Sequence, residues 1–205
     1  MTPWSEFLPY VLPYVIGCPD PTAEQHIKLA AIEFCRRTLC HRMTLEPEMA
    51  SGVSHEIELY PEAGTQIIKV KAVAVGGREF DLVDPVKGLS LVRSEYPSDF
   101  VFTQDNLTLQ VYPLQASGTP VVADVALAPT ITAAGLSDAL AAAHLQDIAQ
   151  GAIASIKRIP GQVFSDLNGS AVHQGLFDAR LKTVSAKTAR GWSAARLSSG
   201  RGNFF

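Results

Sequence analysis

Hydrophobic and polar residues near the amino terminus alternate with the period of an α-helix. Between residues 3 and 16 the apolar positions follow an i, i+3, i+4, i+7 spacing, although two prolines interrupt the segment. The pattern predicts a first helix with one buried face. The apolar positions are Trp4, Phe7, Leu8, Val11, Leu12 and Val15.

A second helix is predicted after the break GCPDPT. Thr22 with Gln25 three positions later has the form of a capping box; alternatively Asp20 is the cap and Pro21 the first helical residue. Both alternatives start the helix at the same place. The apolar spacing extends it to about Arg42. Its apolar residues near one face are Ile27, Ala30, Ala31, Phe34 and Leu39.

From about Thr44 the period of the apolar positions changes from 3.6 to 2, which indicates β-strands. Two hairpins are expected, at the Gly-Gly pair 76–77 and the Asp-Asn pair 105–106, because these residues tolerate the positive φ angles of tight turns. Residues 45–130 are therefore predicted to form a compact antiparallel β unit of about five or six strands. The long connection 84–99 is expected to be functional or mobile.

Helical periodicity returns near Leu136, where Ser137 or Thr132 is the candidate cap. An unbroken apolar stripe follows and ends at the IPG sequence 159–161. A last helix is predicted over about 170–189. The stripe consists of Leu145, Ile148, Ala149, Ala152, Ile153 and Ile156.

The order of these elements predicts an α+β fold. It consists of a helical bundle of about four helices, an inserted antiparallel β unit and an extended basic carboxy-terminal arm. The helical domain comprises residues 1–44 and 131–189, the β domain residues 45–130, and the arm residues 190–205.

The composition indicates a folded, soluble chain. Hydrophobic residues make up 47% and charged residues 18% of the 205 positions, which argues against wholesale disorder. No apolar run reaches the roughly 18 to 20 residues of a membrane span, and the first residues are not expected to form a signal peptide. Three cysteines do not make a disulfide framework, so synthesis in a reducing cytoplasm is the simplest expectation.

The net charge of -3 conceals a basic carboxy-terminal segment. Asp178 is the last acidic side chain, and the arm also carries Trp192 and the terminal Phe204-Phe205. Two interpretations remain open: a frayed, solvated tail, or a peptide that orders on an acidic partner with its aromatic residues as anchors. The late basic residues are Arg180, Lys182, Lys187, Arg190, Arg196 and Arg201.

The stretch AIEFCRRTLCHRM raises the question of a metal or redox site. On a continuous helix, Cys35 and Cys40 are about 140° apart, and Cys35 and His41 about 120°. Ligands that share a helix face need i, i+3 or i, i+4 spacing, so the sequence predicts that both cysteines are packing residues. No metal and no cofactor are expected.

Motifs for catalysis are also missing from the sequence. It contains neither G-x-S-x-G nor H-E-x-x-H, and VGGREF is a predicted hairpin turn rather than a loop that leads into a phosphate-binding helix. A Ser/His/Asp triad assembled in three dimensions stays open, because triads are defined by geometry. The scattered histidines are His26, His41, His55, His144 and His173.

Four stretches of the chain resemble the head-to-tail adaptor (connector) proteins of tailed bacteriophages. They are FLPYVLPYVIGCP, IKLAAIEFCRRT, AHLQDIAQGAIASIKRIPGQVF and LFDARLKTVSAKTARG. The resemblance spans nearly the whole chain, including a β unit inserted between helices. It implies a non-enzymatic virion protein of the phage neck, made in the host bacterial cytoplasm, with no membrane partner.

The resemblance also implies partners and site residues. Such proteins form a ring, commonly of twelve copies, which joins the portal protein of the head to tail or neck proteins and lines the channel for packaged DNA. The residues expected to face this channel are Arg180, Lys182 and Lys187. The arm is expected to bind the portal through Arg190, Trp192, Arg196, Arg201, Phe204 and Phe205.

Two other classes of function stay open at the sequence level. One is a different virion component, such as a tail-completion or carbohydrate-binding β protein, for which exposed aromatics of the β unit would matter most. The other is a hydrolase or lyase whose site is assembled from scattered residues.

Overall fold

The computed structural model describes residues 1–47, 52–93 and 99–191, and these residues form a mixed α+β fold. They comprise five helices and a large curled mixed sheet, whose strand order is β2-β8-β4-β5-β6-β7-β3, and β1 pairs separately with β9. The helices are Leu8–Val11 (α1), Asp20–Thr38 (α2), Pro85–Arg93 (α3), Asp138–Lys157 (α4) and Leu167–Arg190 (α5). The strands are Thr2–Pro3 (β1), Arg42–Leu45 (β2), Glu56–Glu58 (β3), Thr65–Val75 (β4), Arg78–Leu82 (β5), Phe100–Thr103 (β6), Thr108–Tyr112 (β7), Val121–Pro129 (β8) and Gly135–Leu136 (β9).

The amino-terminal segment is not the continuous helix that the sequence predicts. Two 3-10 turns, Trp4–Phe7 and Leu12–Tyr14, flank the single turn of α1. Pro9 and Pro13 cause this break, because a proline has no backbone N–H to donate within a helix. The predicted apolar face nevertheless points inward, since Trp4, Phe7, Val11 and Val15 are all buried.

The second helix ends four residues earlier than predicted. Leu39 follows Thr38 with φ 53° and ψ 30°, in the left-handed region, and its N–H donates to the Cys35 carbonyl at 2.9 Å. This is an αL cap, which terminates a helix and turns the chain away from its axis. The chain then enters β2 at Arg42 as an edge strand beside β8.

Both predicted hairpins are confirmed. Strands β4 and β5 pair from Val75 and Arg78 outward around the Gly-Gly pair 76–77, whose φ angles are 57° and 78°. In the second hairpin, Asn106 has φ 61° and the Asp105 carboxylate accepts the N–H of Thr108 at 2.8 Å. The predicted turn residues therefore define both hairpins.

The connection between the hairpins makes the sheet mixed rather than antiparallel. Strands β5 and β6 are parallel, with Asp81 beside Phe100. Helix α3 lies in this connection and carries the chain across, so that β6 enters in the direction of β5. Gly88 allows α3 to lie against the sheet, because a Cβ at that position would be 2.4 Å from the Phe102 ring.

Two buried clusters stabilise the fold. One lies between the amino-terminal segment and helices α2, α4 and α5, and the other lies on the large sheet. Strand β8 belongs to both, because Ala128 packs in the helical cluster and the adjacent Leu127 in the sheet cluster. Among the described residues, the helices are too short or too polar to cross a membrane.

Candidate functional site

The carboxy-terminal half of α5 combines a buried face with an exposed basic face. Its side chains Phe177, Leu181, Val184 and Thr188 are buried. Lys182, Lys187 and Arg190 are exposed and lie within an arc of about 140° on the opposite side of the helix. The core contacts therefore hold the helix so that its basic face points to solvent.

The start of α5 is also fixed by specific contacts. The Asp166 side chain caps the helix by accepting the Gly169 N–H at 2.9 Å, and it accepts a second hydrogen bond from Lys157 Nζ at 3.1 Å. The hydrogen bonds and the Lys157 charge hold the pKa of the Asp166 carboxyl below its usual value. Sequence reasoning placed the helix start at about residue 170 and missed this cap.

The three exposed cations differ from Arg180. Within residues 1–47, 52–93 and 99–191, Lys182, Lys187 and Arg190 form no ion pair. Arg180 donates from Nε to Asp147 Oδ1 at 2.8 Å, and so links α5 to α4. Because its charge is already paired, Arg180 contributes less free positive potential than the other three residues.

Asp147 is the centre of a small polar cluster between α4 and α5. It is only 7% exposed, and its Oδ2 atom lies 3.2 Å from His144 Nδ1. The His144 ring packs against Phe34 with centroids 4.8 Å apart. Asp147 lines an open groove of about 800 Å³ together with Arg180 and Tyr10. The carboxylate is thus occupied by two partners, which makes the cluster a structural link between helices.

The structure brings one serine and one histidine together, as a triad would require. Ser155 Oγ lies 2.8 Å from His26 Nδ1 and donates to the Ala152 carbonyl at 2.9 Å. The imidazole must therefore donate to the hydroxyl, which is the reverse of the polarity that activates a nucleophile. In the part of the chain that the structure describes, no carboxylate hydrogen-bonds His26. Burial lowers the pKa of His26 and favours this neutral form.

His41 and the two neighbouring cysteines lie at the junction between α2 and β2. The His41 Nδ1 atom is buried and has no hydrogen-bond partner among the described residues; burial lowers its pKa. Across those same residues, no three His, Cys, Asp or Glu side chains converge as metal ligands would. Cys35 and Cys40 were predicted to point apart, but the αL cap at Leu39 turns Cys40 back towards Cys35.

The remaining predicted site residues are the last residue of α5 and residues of the sequence after it. Arg190 is the last residue of the helix, and Gly191 is its cap. The other portal-binding candidates lie outside the described residues: Trp192, Arg196, Arg201, Phe204 and Phe205.

Comparison with known proteins assigns no family to this chain. No family model matches it, and no curated protein matches it. The resemblance to phage adaptors therefore stays a prediction from the sequence.

Proposed function

We propose that this chain is a head-to-tail adaptor of a tailed bacteriophage, a structural virion protein without enzymatic activity. In this proposal, a bundle of about four helices and the β unit form the body of each subunit. Copies assemble into a ring that joins the portal to tail or neck proteins, and the resemblance implies twelve copies in the ring. Packaged DNA passes through the ring and meets it by non-specific electrostatic contact.

The observation that carries the proposal is the exposed end of α5 and the sequence that follows it. The core holds α5 by Phe177, Leu181 and Val184, so the position of its last turn is well defined. A binding segment joined to a fixed helix end has a raised effective concentration at a neighbouring protein.

The composition of the arm suits binding to a protein surface. Trp192 and Phe204-Phe205 supply large apolar contact areas, and Arg196 and Arg201 supply paired hydrogen bonds to carboxylates. A segment that orders on its partner binds with modest affinity per unit area. Several copies of the arm in one ring compensate for this by avidity.

Exposed apolar residues near the start of α5 support lateral contacts in a ring. Val172 and Leu176 are 63% and 51% exposed and lie one turn apart. Tyr14, 54% exposed, packs against the neighbouring His173 with ring centroids 5.5 Å apart. These residues form an apolar surface that a second copy of the chain would cover in the proposed ring.

Removal of residues 191–205 is expected to abolish attachment to the portal while the fold stays intact. Native mass spectrometry of the full chain mixed with portal protein should detect a portal-plus-ring mass, and the truncated chain should not produce it. Far-ultraviolet circular dichroism checks that the truncated chain is folded. A truncated chain that still occupies portal rings fully would refute the role of the arm.

Substitution variants separate the two parts of the arm. Alanine at Trp192, Phe204 and Phe205 should cause the larger loss, because buried aromatic anchors dominate interface energies. Glutamine at Arg196 and Arg201 should weaken attachment less and mainly change its dependence on salt. The opposite order would mean that the arm binds chiefly by charge.

The basic face of α5 is expected to bind DNA weakly and without sequence preference. The variant K182Q/K187Q/R190Q should lower the slope of log affinity against log salt by up to about three, since each lost phosphate contact lowers it by about one. Titrations of a fluorescent duplex at several salt concentrations measure this slope. The matched control K69Q/K87Q/R93Q removes three cations from the β region and should leave the slope unchanged. An equal effect of both variants would contradict a localised DNA-facing surface.

A stack of aromatic rings on the sheet favours a second candidate, a tail-completion or carbohydrate-binding virion protein. The His55 and Tyr112 rings are parallel within 14° with centroids 4.0 Å apart, and both residues are half-buried. Phe100 continues the stack, at 5.3 Å from Tyr112. Such rings suit contacts with flat ligands. No portal association by mass spectrometry would favour this candidate.

A further inference from the structure

The end of α2 places two cysteines at the positions that meet in a left-handed helix cap. Leu39 adopts the left-handed conformation and its N–H bonds to the Cys35 carbonyl. In caps of this kind, the residue after the left-handed one packs back on the residue whose carbonyl accepts that bond. Here these two residues are Cys40 and Cys35.

The two cysteines belong to the same buried region at the end of α2. Cys35 is 1% exposed and belongs to the helical core, and the half-buried Cys40 packs against that core from the outside. Each thiol shifts the pKa of the other, as expected for neighbouring thiols on the two sides of the Leu39 cap. Both cysteines have free thiols. One thiol is therefore open to a reagent while the other is buried directly behind it.

The surroundings favour the thiolate form of Cys40. The hydrogen bond from the Cys35 thiol contributes most, and backbone N–H groups of Cys40 and His41 add to it, which lowers the pKa of Cys40 to about 7. The same contact and burial raise the pKa of Cys35. The Thr38 hydroxyl, which donates to the Phe34 carbonyl at 2.7 Å, can rotate toward the thiolate. The pair is thus asymmetric, with a nucleophile outside and a proton donor inside.

We propose that Cys35 and Cys40 are a dithiol–disulfide site, in which Cys40 reacts first with a small-molecule disulfide and Cys35 completes the internal bond. This site is independent of the proposed virion role. The disulfide would join the last turn of α2 to the residue that leads into β2, and so would tie the helical layer to the edge of the sheet.

The reaction is a two-electron thiol–disulfide exchange. The Cys40 thiolate attacks one sulfur of the reagent, breaks its S–S bond and releases one reagent thiolate. Cys35 then loses its proton to solvent, and its sulfur attacks the Cys40 sulfur of the mixed disulfide and displaces the second reagent thiolate. The two protein thiols are oxidised, and one reagent disulfide is reduced to two thiols.

Cys18 provides an internal control for reactivity. It is 7% exposed, its thiol donates to the Pro19 carbonyl at 3.7 Å, and burial raises its pKa. It is therefore expected to react slowly.

Alkylation by iodoacetamide, followed by peptide mass spectrometry, should show Cys40 reacting at least about tenfold faster than Cys18 at neutral pH. The Cys40 rate should be half-maximal near pH 7. Equal rates at the two residues would overturn the assignment of Cys40 as the nucleophile.

The decisive experiment uses the full-length chain with Cys18→Ser and 2-hydroxyethyl disulfide as the reagent. Both remaining thiols should disappear, the intact mass should fall by about 2 Da for the two hydrogens lost, and a reductant should restore both. Retention of both thiols, or a stable reagent adduct in place of the internal bond, would overturn the proposal.

Single substitutions test the order of the two steps. Adding Cys35→Ala should stop the reaction at a reagent adduct on Cys40, because the second thiol is missing. Adding Cys40→Ala instead should leave Cys35 unreacted in the folded chain, since its thiol is buried. Rapid modification of Cys35 in that variant would refute the proposed order, and the mass measurement on the Cys18→Ser chain decides the proposal even if either variant fails to fold.

Discussion

Phe177→Ala is expected to lower the free energy of unfolding by about 3–5 kcal/mol, the usual cost of removing a buried aromatic ring. Phe177 is 1% exposed and fills the space between α4 and α5. Its ring lies so close to Gly151 that a Cβ there would be 2.9 Å from the ring. Phe34 of α2 is the third partner, with ring centroids 6.2 Å apart. Removing the ring therefore leaves a cavity where three helices meet.

Urea denaturation followed by circular dichroism measures this loss. The matched control is Leu176→Ala, one residue earlier in the same helix, because Leu176 is 51% exposed and should cost less than about 1 kcal/mol in the monomer. The two variants should have similar m-values, which shows that the same surface unfolds. Equal midpoints for both variants would contradict the position of Phe177 in the core.

The features that the sequence predicted correctly are those with local causes. Both hairpins follow from turn residues such as Asn106, which adopts the positive φ that the turn needs. Helix α4 follows from its apolar stripe, and Ile148, Ala152 and Ile153 are indeed buried. In each case, the residues of the element itself were enough to predict it.

The features that the sequence did not predict depend on contacts between distant residues. The parallel pairing of β5 and β6 follows from the path of α3, which no periodicity encodes. The Arg180–Asp147 ion pair joins residues 33 positions apart. The left-handed cap at Leu39 could not be predicted, because no glycine marks it and a leucine seldom adopts this conformation.

The error at the end of α2 changed the chemical interpretation as well as the helix boundary. A continuous helix separates Cys35 and Cys40 by about 140°, and that angle excluded a joint role. Leu39 is left-handed and the helix ends at Thr38, so Cys40 does not continue the helix and the angle no longer applies. The candidate arm stays a prediction from composition, because its basic and aromatic residues are its whole signal.

Trp4→Ala is expected to cost about 3–5 kcal/mol, because Trp4 holds the amino-terminal segment on the core. Its ring is 5% exposed, and its indole N–H donates to the Ala133 carbonyl at 2.8 Å, across 129 positions of sequence. Phe7 packs beside it with centroids 6.0 Å apart. The same segment carries Tyr14, whose contact with α5 belongs to the surface that we propose for ring formation.

The matched variant Trp4→Phe separates packing from hydrogen bonding. It keeps an aromatic ring but leaves the Ala133 carbonyl without its indole donor, so an intermediate loss of about 1–3 kcal/mol is expected. Urea denaturation gives both values, and hydrogen exchange shows whether the segment detaches alone or with the whole fold. If Trp4→Ala only releases residues 1–16, amides of α4 should keep their protection against hydrogen exchange. Assembly of the proposed oligomeric ring should still be lost. Unchanged stability and unchanged hydrogen exchange in Trp4→Ala would show that the Trp4 side chain does not anchor the amino-terminal segment.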